Sequence, residues 1–136
     1  MTAGVRHLTV LVLVVGAVVG GVGACSSSKP PVCSDAQDLK SSLSSLKDIK
    51  VGQGALSELS TTATTIQQQS ATLKADAKDQ FADQIQGLDS ARQTFQSSVA
   101  TAKASPSGAA LATVVAGASQ VVTAGQTLVS AVKNTC

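Results

Sequence analysis

Three cysteines carry most of the chemistry this chain could do. Cys25 and Cys33 stand eight residues apart in 21-GVGACSSSKPPVC-33, and Cys136 is the last residue. A thiol can act as a nucleophile, ligate a metal or close a disulfide, so what surrounds each one matters. The only histidine, His7, lies within the first 24 residues. Beyond that point no Ser–His or Cys–His pair and no His-based zinc or iron site can be assembled. Asp76, Asp79 and Asp83 follow an i, i+3, i+7 spacing that would place them on one helical face. A cation site needs oxygens converging from a rigid loop, so these three read as a solvated face, and paired hydrolytic carboxylates would need an enclosing pocket. The sequence holds no P-loop, GxSxG, CxxC or dinucleotide fingerprint. No cofactor and no metal is expected.

The elements that must position these residues begin with a targeting segment. Arg6, His7 and the amino terminus form a short positive region, 8-LTVLVLVVGAVV-19 is uncharged, and 20-GGVGA-24 is small-residue sequence leading to Cys25. Positive, apolar, then small is the order of a secretory signal. The apolar run is shorter than the ~20 residues of a spanning helix. Residues 1–24 are therefore expected to be removed.

The residues 22-VGAC-25 resemble the lipobox of bacterial lipoproteins, although Val22 stands where Leu is the commonest choice. The resemblance covers only the first 25 residues. It implies that the sulfur of Cys25 takes a diacylglycerol, that the chain is cut before it, and that the protein sits on the extracytoplasmic side of the membrane. An ordinary signal peptide with a bystander cysteine is the other reading of the segment. The Ala/Val/Gly/Thr-rich composition resembles that of actinobacterial lipoproteins, in which Thr-rich stretches such as 60-STTATT-65 are sometimes O-glycosylated. Residues 25–32 then form the acylated cysteine and a Ser/Pro tether. The seven residues after Cys25 reach ~23 Å at most. With Cys25 assigned to lipid, the two remaining thiols of an exported chain, Cys33 and Cys136, read as a disulfide.

Residues 33–136 are expected to form one small all-α domain, an antiparallel up-down bundle. Apolar positions recur at helical spacing through Leu39, Leu43 and Leu46, and again through Leu56, Leu59, Ala63, Ile66 and Leu73. A third seam runs from Ala77 and Phe81 to Phe95 and Ala102, with no apolar member near Arg92, and a fourth from Leu111 to Val132. Turns at 51-VGQG-54 and 105-SPSG-108 are clear, whereas residues 55–104 form one helix or two. A Cys33–Cys136 bond brings the chain ends together, which favours four helices over three. It puts a reversal near residues 74–79, with Asp76 capping the third helix and Ser34 capping the first. The expected spans are 34–50, 55–74, 77–104 and 108–134. Residues 108–132 carry no charge and are long enough for a second membrane span. Yet Thr113, Gln120, Thr123, Thr127 and Ser130 gather opposite the apolar seam, which favours a bundle helix.

The charges also exclude partners. Ten Lys and Arg fall to nine against eight Asp and Glu once Arg6 is removed, and Phe81 and Phe95 are the only aromatic residues. Neither a strong basic field nor a stacking platform is present, so nucleic acid is not expected. The expected function is a non-enzymatic binding or structural module, held to the membrane through Cys25 and meeting another envelope component, a protein partner among them. The alternative is a small carrier of lipid or another apolar ligand. Phe81 and Phe95, two heptads apart, would then line a cavity between the helices.

Overall fold

The computed structural model describes residues 29–136. The expected signal peptide and Cys25 lie outside them. Four helices follow in order: α1 (Pro31–Asp48), α2 (Leu56–Ala77), α3 (Ala82–Ala104) and α4 (Gly108–Lys133), with one 3₁₀ turn, Gln53–Ala55, before α2. Among the described residues there is no strand, and 85% of them are helical. Each helix packs on its two neighbours in the ring α1–α2–α3–α4–α1, the four-helix bundle expected from the sequence.

The core follows the seams. Leu39, Leu59, Ala63, Ile66, Leu73, Leu88, Phe95, Val114, Val121, Leu128 and Val132 are fully buried. One apolar stripe per helix turned to a common axis is what a 3.6-residue period produces. Among the described residues the buried core is a single cluster running from Val32 to Val132.

α1 begins three residues before its expected start. Pro30 is extended (φ −50°, ψ 143°), Pro31 occupies the first turn, and the Cys33 amide donates to the Pro30 carbonyl at 2.9 Å. Proline at a helix start has its φ already near the helical value and has no N–H left without a partner. Ser34 is consequently not a cap; its hydroxyl donates to the Pro31 carbonyl at 2.8 Å. Pro31 and Val32, expected in the tether, are thus the first two residues of α1.

The reversal between α2 and α3 also lies later than expected, at residues 78–81. Asp76 is inside α2 and caps nothing. Ala77 continues the apolar seam and is buried, as is Phe81, which occupies the α3 N-cap position without a side-chain cap. Both residues gain more by staying on the core face than a break at residue 74 would allow. The turn is closed by the Gln80 amide donating to the Ala77 carbonyl at 3.1 Å. It requires Lys78 to adopt φ 53° and ψ −123°, a region that costs a side-chain-bearing residue about 1–3 kcal/mol. Asp76, Asp79 and Asp83 are all exposed, but they fall on α2, the turn and α3 and share no helical face.

α4 starts where the sequence predicts, with the Ser107 hydroxyl accepting from the Ala110 amide at 3.1 Å. By length and composition it could cross a membrane, with a mean hydropathy of 1.4 over its apolar window, of which 28% is buried. Within the bundle it packs on both α3 and α1. Two glycines permit the close approach. A Cβ on Gly117 would lie 3.2 Å from Phe95 Cα, and one on Gly125 would overlap the Leu43 side chain, 2.6 Å from Cδ2. Thr113, Gln120, Thr123, Thr127 and Ser130 occupy its exposed face.

Candidate functional site

The antiparallel ring returns the chain end to its beginning. Cys33 in the first turn of α1 and Cys136 just beyond α4 lie with their Cα atoms 6.1 Å apart and their sulfurs at disulfide distance, 103 residues apart in sequence. Cys33 is buried, 5% exposed. The Cys136 amide donates to the Lys133 carbonyl at 3.2 Å, which holds the last residue against the end of α4. This pole is also where the chain arriving from Cys25 enters the bundle.

From that pole a series of grooves runs along the seam between α1 and α4. The first, about 290 Å³, is floored by Ala36 and Val129 beside the cysteines. The second, about 310 Å³, lies over Leu43, Val122 and Val129. The third, about 530 Å³, lies at the far end between Ile49, Val51 and Val115, the last 48% exposed. The grooves exist because α4 presents small side chains to α1: Gly125 seats Leu43 so deeply that the flanking Val122 and Val129 form a floor rather than a ridge. In the second groove Lys40 and Lys47 form the α1 border, and Gln126, Ser130 and Lys133 the α4 border.

α1 carries the opposite charge on its other flank. Asp35 and Asp38 border a small groove of about 150 Å³ with Gln68, Gln69 and Thr72 of α2. Burial pushes the Asp35 carboxyl above its ordinary value of 3.8, reinforced by the Asp76 carboxyl beside it and the charge of Asp38. Among the described residues no group of three or more His, Cys, Asp or Glu is placed to hold a metal ion.

Phe81 and Phe95 are both buried in the single core cluster. Phe95 is fully enclosed, its ring 3.3 Å from where a Gly117 Cβ would stand, and Phe81 closes the α2–α3 turn. The grooves described above are lined by neither ring. The gap noted near Arg92 is filled by Arg92 itself, 7% exposed. Its Nη1 donates to Gln67 Oε1 at 3.2 Å and Gln96 Oε1 at 2.9 Å, and its Nε lies 3.9 Å from Asp89 Oδ1. The alkyl stem thus occupies a core position while the head reaches the α2–α3 surface.

The lysine-bordered seam escaped the sequence reading, which treated charge as a sum. Its signal was the seven-residue spacing of Lys40 and Lys47 on α1, opposite a helix with no charge between residues 108 and 132. The chain matches no protein-family model, and no curated protein or solved structure resembles it at a significant level.

Proposed function

We propose that the protein is a membrane-anchored envelope lipoprotein, acylated at Cys25 and facing the extracytoplasmic side, whose bundle is a non-enzymatic binding or structural module. The observation that carries this reading is the meeting of Cys33 and Cys136 at the pole where the chain from Cys25 enters. A disulfide is at home in an oxidising compartment, which agrees with the lipobox-like export segment. The six residues from Cys25 to Pro30 span ~20 Å at most, so an acylated Cys25 would hold this pole against the bilayer. The grooved α1–α4 face begins there and is the surface such an anchor presents.

Intact-mass spectrometry of the protein from its own membranes tests the anchor. The expected mass is residues 25–136 plus acyl chains, with a gain of two hydrogens on reduction; a lipid-free mass overturns it. Photocrosslinking in cells tests the binding role. A crosslinker at Ser119 on the grooved face should capture an envelope component that one at Asp83 does not, and equal capture from both positions contradicts the assignment.

A further inference from the structure

We infer that the α1–α4 face binds anionic phospholipid headgroups, so that the bundle lies lengthwise on a negatively charged bilayer. Of the ten Lys and Arg, only Arg6 precedes residue 29. Five of the other nine, Lys29, Lys40, Lys47, Lys50 and Lys133, border the three grooves of this seam. Of the eight Asp and Glu side chains only Asp48 does. Asp35 and Asp38 face α2, and the rest lie on α2, α3 and the turn between them. A nearly neutral chain is therefore divided into a cationic face and an acidic remainder. All five lysines are exposed, and among the described residues none is within ion-pair distance of a carboxylate.

The arrangement suits a surface better than a pocket ligand. Lys40 and Lys47 stand one heptad apart on α1, ~10.5 Å along the axis, and Lys133 faces Lys40 across the groove. Lys29 and Lys50 extend the row beyond both ends of α1. An extended row of ammonium groups matches a plane of phosphates. The apolar floor beneath it, Leu43, Val122 and Val129, accommodates the lysine stems while the heads reach outward. On the α4 side, Ser119, Thr123, Gln126 and Ser130 supply hydrogen-bond donors and no carboxylate that would repel phosphate.

This deepens the reading above by naming what the bundle surface meets, and its test leaves out the anchor so that the two ideas fail separately. Residues 29–136, which carry all four helices and the Val32–Val132 core cluster, are sedimented with vesicles of equal parts phosphatidylglycerol and phosphatidylcholine, and with phosphatidylcholine alone. The protein is expected to bind the anionic vesicles, not the neutral ones, and to be released by about 0.5 M salt, where the screening length falls to a few ångströms. Each lysine near an anionic surface strengthens binding roughly fivefold, so the triple variant Lys40→Gln, Lys47→Gln, Lys133→Gln should lose roughly a hundredfold. A triple of equal charge elsewhere, Lys74→Gln, Lys78→Gln, Lys103→Gln, should lose less than about tenfold, because those sites would lie more than a screening length from the bilayer. Should the seam triple fail to keep its helical circular dichroism, Lys47→Gln alone should still lose roughly fivefold. Indifference to anionic vesicles, equal binding to neutral ones, or equal losses in the two triples overturns the proposal, the first pointing instead to a protein partner.

Discussion

Breaking the link between Cys33 and Cys136 should remove a large part of this domain's stability. The perturbation is either reduction or the double variant Cys33→Ser, Cys136→Ser. The bridge spans 103 residues, and cross-linking a loop of that size lowers unfolded-chain entropy enough to stabilise the fold by about 4.7 kcal/mol at room temperature. A domain of this length unfolds with an entropy of about 0.22 kcal/mol per degree, so the expected fall in Tm is roughly 20 °C. That is a large fraction of the 5–15 kcal/mol typical of whole domains. The core here is built mainly from Ala, Val and Leu with a single fully buried aromatic residue, Phe95. It has no large reserve to offset the loss.

The assay is thermal and urea unfolding followed by far-UV circular dichroism, on oxidised, reduced and double-variant protein. Opening the loop lets the unfolded chain expand, so the urea m-value should rise as the midpoint falls. Reduced and variant proteins should coincide, because both act on the same unfolded ensemble. A Tm shift below about 5 °C, with thiol titration proving that the parent is oxidised, would refute the entropy argument. The unfolded chain would then already be compact without the link, and the bundle would owe its closure to packing alone.

Substitutions at three further positions test the α2–α3 turn and two polar sites. Lys78→Gly should stabilise by about 0.5–1 kcal/mol, since relief at φ 53° outweighs the greater freedom glycine has when unfolded; a loss in urea melts would show the turn conformation is not obligatory. Asp35 has its folded-state pKa raised by burial first, then by Asp76 and Asp38, so stability is lost as pH rises from its ordinary 3.8. Asp35→Asn should therefore stabilise by about 0.5 kcal/mol near neutrality and have no effect in acid below that value; a benefit persisting in acid would contradict the charge account. Arg92→Met, which keeps the packed stem and drops the head, should stay within about 1 kcal/mol of the parent or exceed it, whereas Arg92→Ala should cost about 2 kcal/mol or more through the void it leaves. Equal losses in the two Arg92 variants would show that the bonds to Gln67 and Gln96, not the stem, hold this position.

The helices were legible because one interaction dominates them: burial of a stripe repeating every three to four residues. Arg92 appeared only as a gap, since residue type conceals that an arginine stem can serve as apolar volume. The α2–α3 reversal was misplaced for a related reason. Its strained position holds Lys78 where glycine would have marked the turn, while Asp76 imitated a cap. At the start of α1, two prolines looked like tether because the pair is compatible with both extended chain and a first helical turn. The pole where Cys33 meets Cys136 was legible because two thiols remained once Cys25 was assigned to lipid, and their pairing in turn argued for an even number of helices. The lysine seam was not, since it is made by which flank of α1 meets α4, and a charge sum carries no geometry.

The absence of charge on α4 before Lys133 is the feature that packing leaves over. Like each helix of the ring, α4 is shared by two seams, and only 28% of its apolar window is buried. Its outer positions are free to carry Lys and Glu, as the exposed faces of bundle helices ordinarily do, and they hold Ala, Ser, Thr and Gln instead. Stability does not require this: surface changes away from special features usually stay within about 0.5 kcal/mol. If the α1–α4 face rests on phosphates, however, a carboxylate on α4 would oppose the lysines of α1 across the same groove. Ser119→Asp with Thr123→Asp should therefore leave the melting curve nearly unchanged and weaken binding to phosphatidylglycerol vesicles about as much as losing two lysines, roughly 25-fold. The same two charges placed at Ser97 and Thr101 on the exposed face of α3 should weaken it far less. Equal weakening from both helices would mean that only net charge is sensed, and the uncharged face of α4 would then need another explanation.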